Sequence, residues 1–208
     1  ETSADAIRAI HVDADKSFWV LRDSGRLSAY SSVDSGERSR EVRVPIPPKT
    51  DRLWVQRNGS IDLAVYGTGA GVPGRFSVMG TSPDDRLVSG NVVAIDRANS
   101  SLRWSQAVED QALALYQPRE LPVLIFACRQ TGRLPDGELG DRFALRVLEK
   151  SSGRTVYQTF ESPLPLYCSY QAMLDRPLVE LRFGEWSLTV FPTSSVDGAA
   201  NPAPAKES

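Results

Sequence analysis

Apolar residues in this chain recur with a period of two almost throughout, so strands are predicted nearly everywhere. Ile7, Ala9 and Val12 mark a first strand, and Phe18-Trp19-Val20-Leu21 a second, closed by Asp23-Ser24-Gly25. Leu27 and Ala29, then Val42 and Val44, supply a third and a fourth. Pro45, Pro47 and Pro48 end this set, because proline has no N–H for a sheet ladder. A second set follows: Leu53-Trp54-Val55, the hairpin dipeptide Asn58-Gly59, Ile61 to Tyr66, Val92 to Ile95, and Leu102 to Trp104. Ala112 to Tyr116, Val123 to Cys128, Phe143 to Leu148 and Thr155 to Phe160 form a third. Tyr167 to Leu174, Leu178 to Phe183 and Trp186 to Phe191 begin a fourth that has no fourth strand. Only Ser105 to Tyr116 has helix-forming content, and within it Gln111 to Tyr116 also alternates like a strand.

One phrase is repeated across these sets. Leu27 to Tyr30, Val92 to Asp96 and Leu145 to Glu149 are each followed by a small polar turn and a second strand. The turns are Asp34-Ser35-Gly36, Ala98 to Ser101, and Ser151-Ser152-Gly153. Asp96 or Glu149 at the strand end can accept from turn N–H groups, and Gly36 and Gly153 permit a reversal at positive φ. Trp104 and Tyr157 can then cover the gap between neighbouring units. Four-stranded antiparallel units in series are the signature of a β-propeller.

The phrase Val93-Ala94-Ile95-Asp96 followed by Ser101-Leu102-Arg103-Trp104 resembles the repeat of the pyrroloquinoline-quinone-like propellers. Leu145 to Tyr157 fits with Tyr157 in the tryptophan place, and Leu27 to Val44 fits more loosely. The resemblance implies an all-β chain, a β-propeller of four-stranded antiparallel blades with about three and a half blades present. The blades are expected near 5–48, 51–108, 111–161 and 165–192, within a propeller spanning 5–193, with a disordered Pro/Ala/Ser-rich tail over 194–208. Such propellers usually have six to eight blades, so the N-terminal part is expected on a removed segment or a partner polypeptide. A four-bladed ring closed by Ala6 to Val12 is the alternative.

Composition adds limits. The 208 residues are 41% hydrophobic and 24% charged, with a formal net charge of −2, so no global basic field draws in nucleic acid. No apolar run approaches the length of a membrane helix, so direct membrane insertion is not expected. Cys128 and Cys168 both sit in apolar strands and read as buried thiols, with a disulfide as the alternative if the strands come within reach.

Candidate chemistry is sparse. Gly69-Ala70-Gly71-Val72-Pro73-Gly74 matches a dinucleotide fingerprint, but a strand, Arg75 to Val78, follows where a helix is needed. Asp13-Ala14-Asp15-Lys16-Ser17 opens like a calcium loop without its central glycine, and position twelve is Ser24 in place of a bidentate glutamate; it reads as a hairpin turn. His11 is the only histidine, so no two-histidine metal centre can form, and a structural or channel-lining role is expected. Asn58-Gly59-Ser60 and Asn99-Ser100-Ser101 are glycosylation sequons in positions that suit turns. Quinone enzymes of the resembled family hold their cofactor beside an adjacent cysteine pair, and this chain has none, so no cofactor, metal or catalytic residue is assigned.

Two long connections remain, Gly67 to Asn91 and Gln130 to Asp141, each joining the second strand of a unit to its third. In an up-and-down blade such loops emerge on one face, so they should form one rim. Arg75, Asp84, Asp85, Arg86, Arg133, Asp136 and Glu138 are its candidate partner contacts. The expectation is a non-catalytic scaffold or recognition module of a larger bacterial protein or assembly. Its partner would be a protein or the missing part of the same propeller. The resemblance further implies a periplasmic, envelope or extracellular setting. The alternatives are a degenerate quinoprotein-like enzyme and a sensor domain of a signalling chain.

Overall fold

The computed structural model describes residues 5–68, 75–77, 86–113, 117, 119, 121–133, 137–161, 168–173, 178–183 and 186–190, several of them in backbone only. The strand Arg75 to Val78 is described only to Ser77, and the expected tail at 194–208 lies outside these residues. The first sheet is a meander of β1 (Ile7–Val12), β2 (Phe18–Arg22), β3 (Arg26–Tyr30) and β4 (Arg38–Arg43). The second unit runs β5 (Arg52–Asn58), β6 (Ile61–Thr68), β8 (Arg86–Asp96) and β9 (Leu102–Leu113), with the short β7 (Arg75–Ser77) inside the connection from β6 to β8. The third holds β10 (Val123–Arg133), β11 (Leu139–Glu149) and β12 (Thr155–Glu161). The fourth is the three-stranded β13 (Cys168–Met173), β14 (Leu178–Phe183) and β15 (Trp186–Val190). Every pairing is antiparallel.

Side-chain alternation shows how the units stack. In β6, Ala64 and Tyr66 join a core with Trp19, Leu21, Leu27, Ala29 and Val42 of the first unit. The intervening Ile61, Leu63 and Val65 join a second core with Leu124, Phe126 and Leu148 of the third. β8 divides likewise, with Val93 and Ile95 facing the first unit and Val92 and Ala94 facing the third. A sheet buried on both faces needs apolar residues at consecutive positions, which explains the unbroken burial from Ile61 to Gly67. The first two units are four-stranded meanders packed face to face, as propeller blades are, and the three strands of the third pack back on the second while staying joined to it in one eight-stranded sheet through β9 and β10. The chain is an open, partial β-propeller of about three and a half blades.

The repeated hairpin carries the contact between the second and third units. Asp96 N donates to Ser101 O (2.8 Å) and Ser100 N to Asp96 O (2.9 Å). At the same spacing Glu149 N donates to Arg154 O (2.9 Å) and Gly153 N to Glu149 O (2.8 Å). Trp104 lies across to the next turn, where its Nε1 donates to Lys150 O (3.1 Å). A Cβ on Gly153 would stand 2.5 Å from the Trp104 ring, so only glycine admits the indole there. Lys150 is buried beneath, its Nζ donating to Arg119 O (2.8 Å).

The boundary between the first and second units is held partly by charge. Asp62 is 0% exposed, with Arg40 Nη1 of β4 2.5 Å from Oδ2, off the line of a hydrogen bond, and Arg97 Nε 3.8 Å from Oδ1. Arg40 also lies over the Trp19 ring, 5.3 Å from its centroid, a cation–π contact. The Tyr66 hydroxyl donates to Pro45 O (2.7 Å), which ties the proline-rich connection down, and burial raises the pKa of this phenol.

The main departure from the sequence pattern is β9. The apolar alternation suggests two strands separated near Ser105 to Gln111, whereas one strand runs from Leu102 to Leu113. Its polar stretch is carried by backbone pairing to the full length of β8, which periodicity does not register. The hairpin after β5 is also shifted by one residue: Gly59-Ser60 form its centre and Asn58 pairs with Ile61.

Two stability predictions follow from these contacts. Gly153→Ala meets both the Trp104 ring and a φ of +71°, while Gly36→Ala, at φ +60° with nothing within 4 Å, meets only the backbone term. Urea titration should show Gly36→Ala losing about 1–2 kcal/mol and Gly153→Ala losing about 1–3 kcal/mol more. Equal losses would mean that the indole does not rest on that glycine. Asp62→Ala leaves the largely buried Arg40 without its counterion and should lose about 3 kcal/mol in the same titration. A loss under about 1 kcal/mol would show that the buried carboxylate is not holding the first two units together.

Candidate functional site

The two long connections are built on unusual backbone. Gly67 pairs with Gly90, and a Cβ on Gly90 would lie 2.0 Å from Tyr66 O, so the strands approach closely where the first excursion leaves the sheet. Beyond this point β8 is bulged between Val88 and Gly90, and its first residues, Arg86 to Val88, pair with Leu113 to Gln111 of β9. In the third unit β10 and β11 pair out to Arg133 opposite Leu139, although β12 begins to pair only at Phe143. Most of the loop expected over Gln130 to Asp141 is therefore a two-stranded ribbon. Its glycines and polar residues read as loop, and its ladder of backbone hydrogen bonds leaves no trace in hydropathy.

The two excursions meet. β7 pairs with β10, placing Ser77 opposite Cys128, Phe76 opposite Arg129 and Arg75 opposite Gln130. β10 therefore takes partners from several sources along one edge. Ile125 N donates to Oε1 of the buried Gln117 (2.8 Å), while Gln117 Nε2 donates to Ile125 O (3.4 Å). Phe126 pairs with Leu113 of β9, and β7 takes the next stretch. A buried strand edge must satisfy its polar groups, and here a side chain and two strands share that task. Neither could be read from spacing: β7's partner lies some fifty residues away, and Gln117 is a polar loop residue whose amide is aimed only by the folded backbone.

Of the candidate rim residues, Arg75 lies on β7, Arg86 begins β8 opposite Leu113, and Arg133 ends β10. Glu138 is exposed at the ribbon turn beside Gly137 (φ 87°), and Leu139 is 79% exposed. Asp84, Asp85 and Asp136 lie outside the described residues, as does the glycine-rich segment 69–74. Cys128 and Cys168 are placed by backbone on β10 and β13.

The calcium-like segment is a hairpin turn. Asp13 N donates to Ser17 O (2.8 Å), Lys16 N donates to Asp13 O (3.0 Å), and Lys16 takes φ 64°. Asp15 accepts from Ser17 N (3.0 Å), Ser17 Oγ (2.6 Å) and Arg57 Nη1 (2.8 Å). The Asp15 carboxylate is thus committed to the turn and to the second unit. His11 Nε2 stands 3.6 Å from Asp13 Oδ1. Among the described residues no group of three His, Cys, Asp or Glu side chains is placed to hold a metal ion. No helix among them is long and apolar enough to cross a membrane. The sequons lie in hairpins, where Asn99 Oδ1 accepts from Ser101 N (2.9 Å).

No family model and no curated protein matches the sequence. Among solved structures, the chain is similar to the β-propeller domain of Cps50 (Swd1) from Myceliophteria thermophila, at 12% identity over 90% of this chain and 84% of that one, with a TM-score of 0.22. The fold assignment rests on the chain's own sheets.

The two anchoring carboxylates set a pH dependence. The hydrogen bond from Ser17 holds the Asp15 carboxyl down to about 2, and that from Arg26 does the same for Asp5, which also binds Ser24. Both lie below the value near 3.9 of an unfolded aspartate, so their stabilisation is present above about pH 4 and is lost as pH falls towards 2. Asp15→Asn should lower the urea midpoint at pH 7, and the difference from the native chain should vanish by about pH 2. A difference independent of pH would show that the charge of Asp15 is not what matters.

Proposed function

We propose that this chain is part of a non-catalytic propeller scaffold of the quinoprotein-like repeat type, which recognises a protein partner through the rim formed by its two excursions. The pairing of β7 with β10 carries this reading, because it gathers both excursions at the same edge of the third unit. Backbone pairing of β7 with β10 holds the two excursions to one another, which lowers the entropy lost on binding. Arg75, Arg86, Arg133 and Glu138, with Asp84, Asp85 and Asp136 in the adjoining sequence, supply mixed charge suited to steering and orienting a protein surface.

The repeat assignment is supported by the equivalent turn hydrogen bonds at Asp96 and Glu149 and by the seat of Trp104 on the Gly153 turn. On the same resemblance the scaffold belongs to a larger bacterial assembly in the periplasm, envelope or extracellular space. The partner is another protein or a further part of the same propeller.

Site-specific photocrosslinking in the native host tests the rim. A photoreactive residue at Glu138 should give a discrete adduct that is absent with the label at Val33, an exposed turn residue between β3 and β4. Arg75→Glu with Arg133→Glu should reduce that adduct at least about tenfold, as expected when opposed charges are reversed. An adduct of equal yield from Val33, or one indifferent to the charge reversal, overturns the proposal.

A further inference from the structure

Two hairpins stand side by side at one end of the second unit, and each holds an asparagine followed by a small residue. Asn58-Gly59 lies between β5 and β6, and Asn99-Ser100 between β8 and β9. The hairpins touch, because Arg97 N donates to Ser60 O (2.9 Å) and Arg97 Nη1 to Gly59 O (3.1 Å). Their local hydrogen bonding differs. Ser100 N donates to Asp96 O (2.9 Å), and Asn99 Oδ1 accepts from Ser101 N (2.9 Å). Among the described residues, neither Gly59 N nor the Asn58 side-chain amide is held by a hydrogen bond. Gly59 is exposed at φ 57°, and a Cβ built on it would meet nothing within 4 Å.

From this contrast we infer that Asn58 is a site of self-modification, where Gly59 N attacks the side-chain amide and converts asparagine to an acid through a succinimide. Water is the only co-reactant. Gly59 N gives up its proton to base, and its electron pair forms a bond to Asn58 Cγ. The bond from Cγ to Nδ2 breaks, and that nitrogen leaves as ammonia with a proton regained. The five-membered imide then takes up one water at either carbonyl, giving aspartate or isoaspartate, with nothing oxidised or reduced. Glycine favours the attack because no side chain crowds its nitrogen. A hydrogen-bonded amide is available only when its bond opens, so the Asn99 hairpin is protected and the Asn58 hairpin is not. Aspartate adds a charge and leaves the main chain as it was. Isoaspartate inserts a carbon into the main chain between residues 58 and 59, at the turn that aligns β5 on β6. It therefore also displaces the two carbonyls that Arg97 holds.

Incubation of the 208-residue chain at mildly alkaline pH, followed by peptide mapping with mass spectrometry, tests the inference. The peptide holding Asn58 should gain the amide-to-acid mass difference several-fold faster than the peptide holding Asn99. Its isoaspartate should be detected by enzymatic carboxyl methylation, and Asn58→Gln should remove most of that signal. In strong urea Asn99 should accelerate by a larger factor than Asn58, because it alone loses a protecting bond. The isoaspartate form should unfold at lower urea than Asn58→Asp, which carries the charge without the added carbon. Asn58 that stays unconverted in the folded chain overturns the proposal, as does equal acceleration of both sites by urea.

Discussion

The structure depends on the second unit being a sheet buried on both faces. Its strands have no solvent side along most of β6, so successive residues serve different neighbours. Ala64 and Tyr66 complete one core, and Leu63 and Val65 complete another one residue away. A shift of one position in register would exchange these sets and spoil both interfaces together. The first and third units are therefore placed by the alternation of β6 and β8, and the excursions are placed by what remains of β8, β9 and β10 beyond the packed region.

Polar groups refine this arrangement. Trp104 is mostly a packing residue, yet its indole N–H selects a specific carbonyl on the following turn. Asp62 is fully buried, and its charge is answered from the first unit by Arg40 and from the adjacent hairpin by Arg97. Such partners add less to stability than the apolar cores, but they discriminate between registers, because a misplaced Asp62 would be a buried charge with no counterion.

Most strands were legible in the sequence because half-buried and doubly buried strands write themselves in hydropathy. The turn at Asp13 to Ser17 and the hairpins after Asp96 and Glu149 were legible through short-range side-chain chemistry. What stayed hidden is non-local. β9 looked broken because its middle is polar, though pairing with β8 carries it through. The ribbon of β10 and β11 looked like loop for the same reason. The pairing of β7 with β10 joins segments tens of residues apart, and the capping of Ile125 by Gln117 is a side-chain-to-backbone contact across a loop; no periodicity encodes either.

The continuity of β9 makes the boundaries between units mechanically unequal. Between the second and third units, one unbroken strand and the strap formed by β7 cross the seam, so sliding would shear backbone hydrogen bonds. Between the first and second, the crossing chain is a short proline-containing tether, and the faces are joined by side chains. Under load the first unit would peel away as a separate flap, while its two successors would yield only as one body.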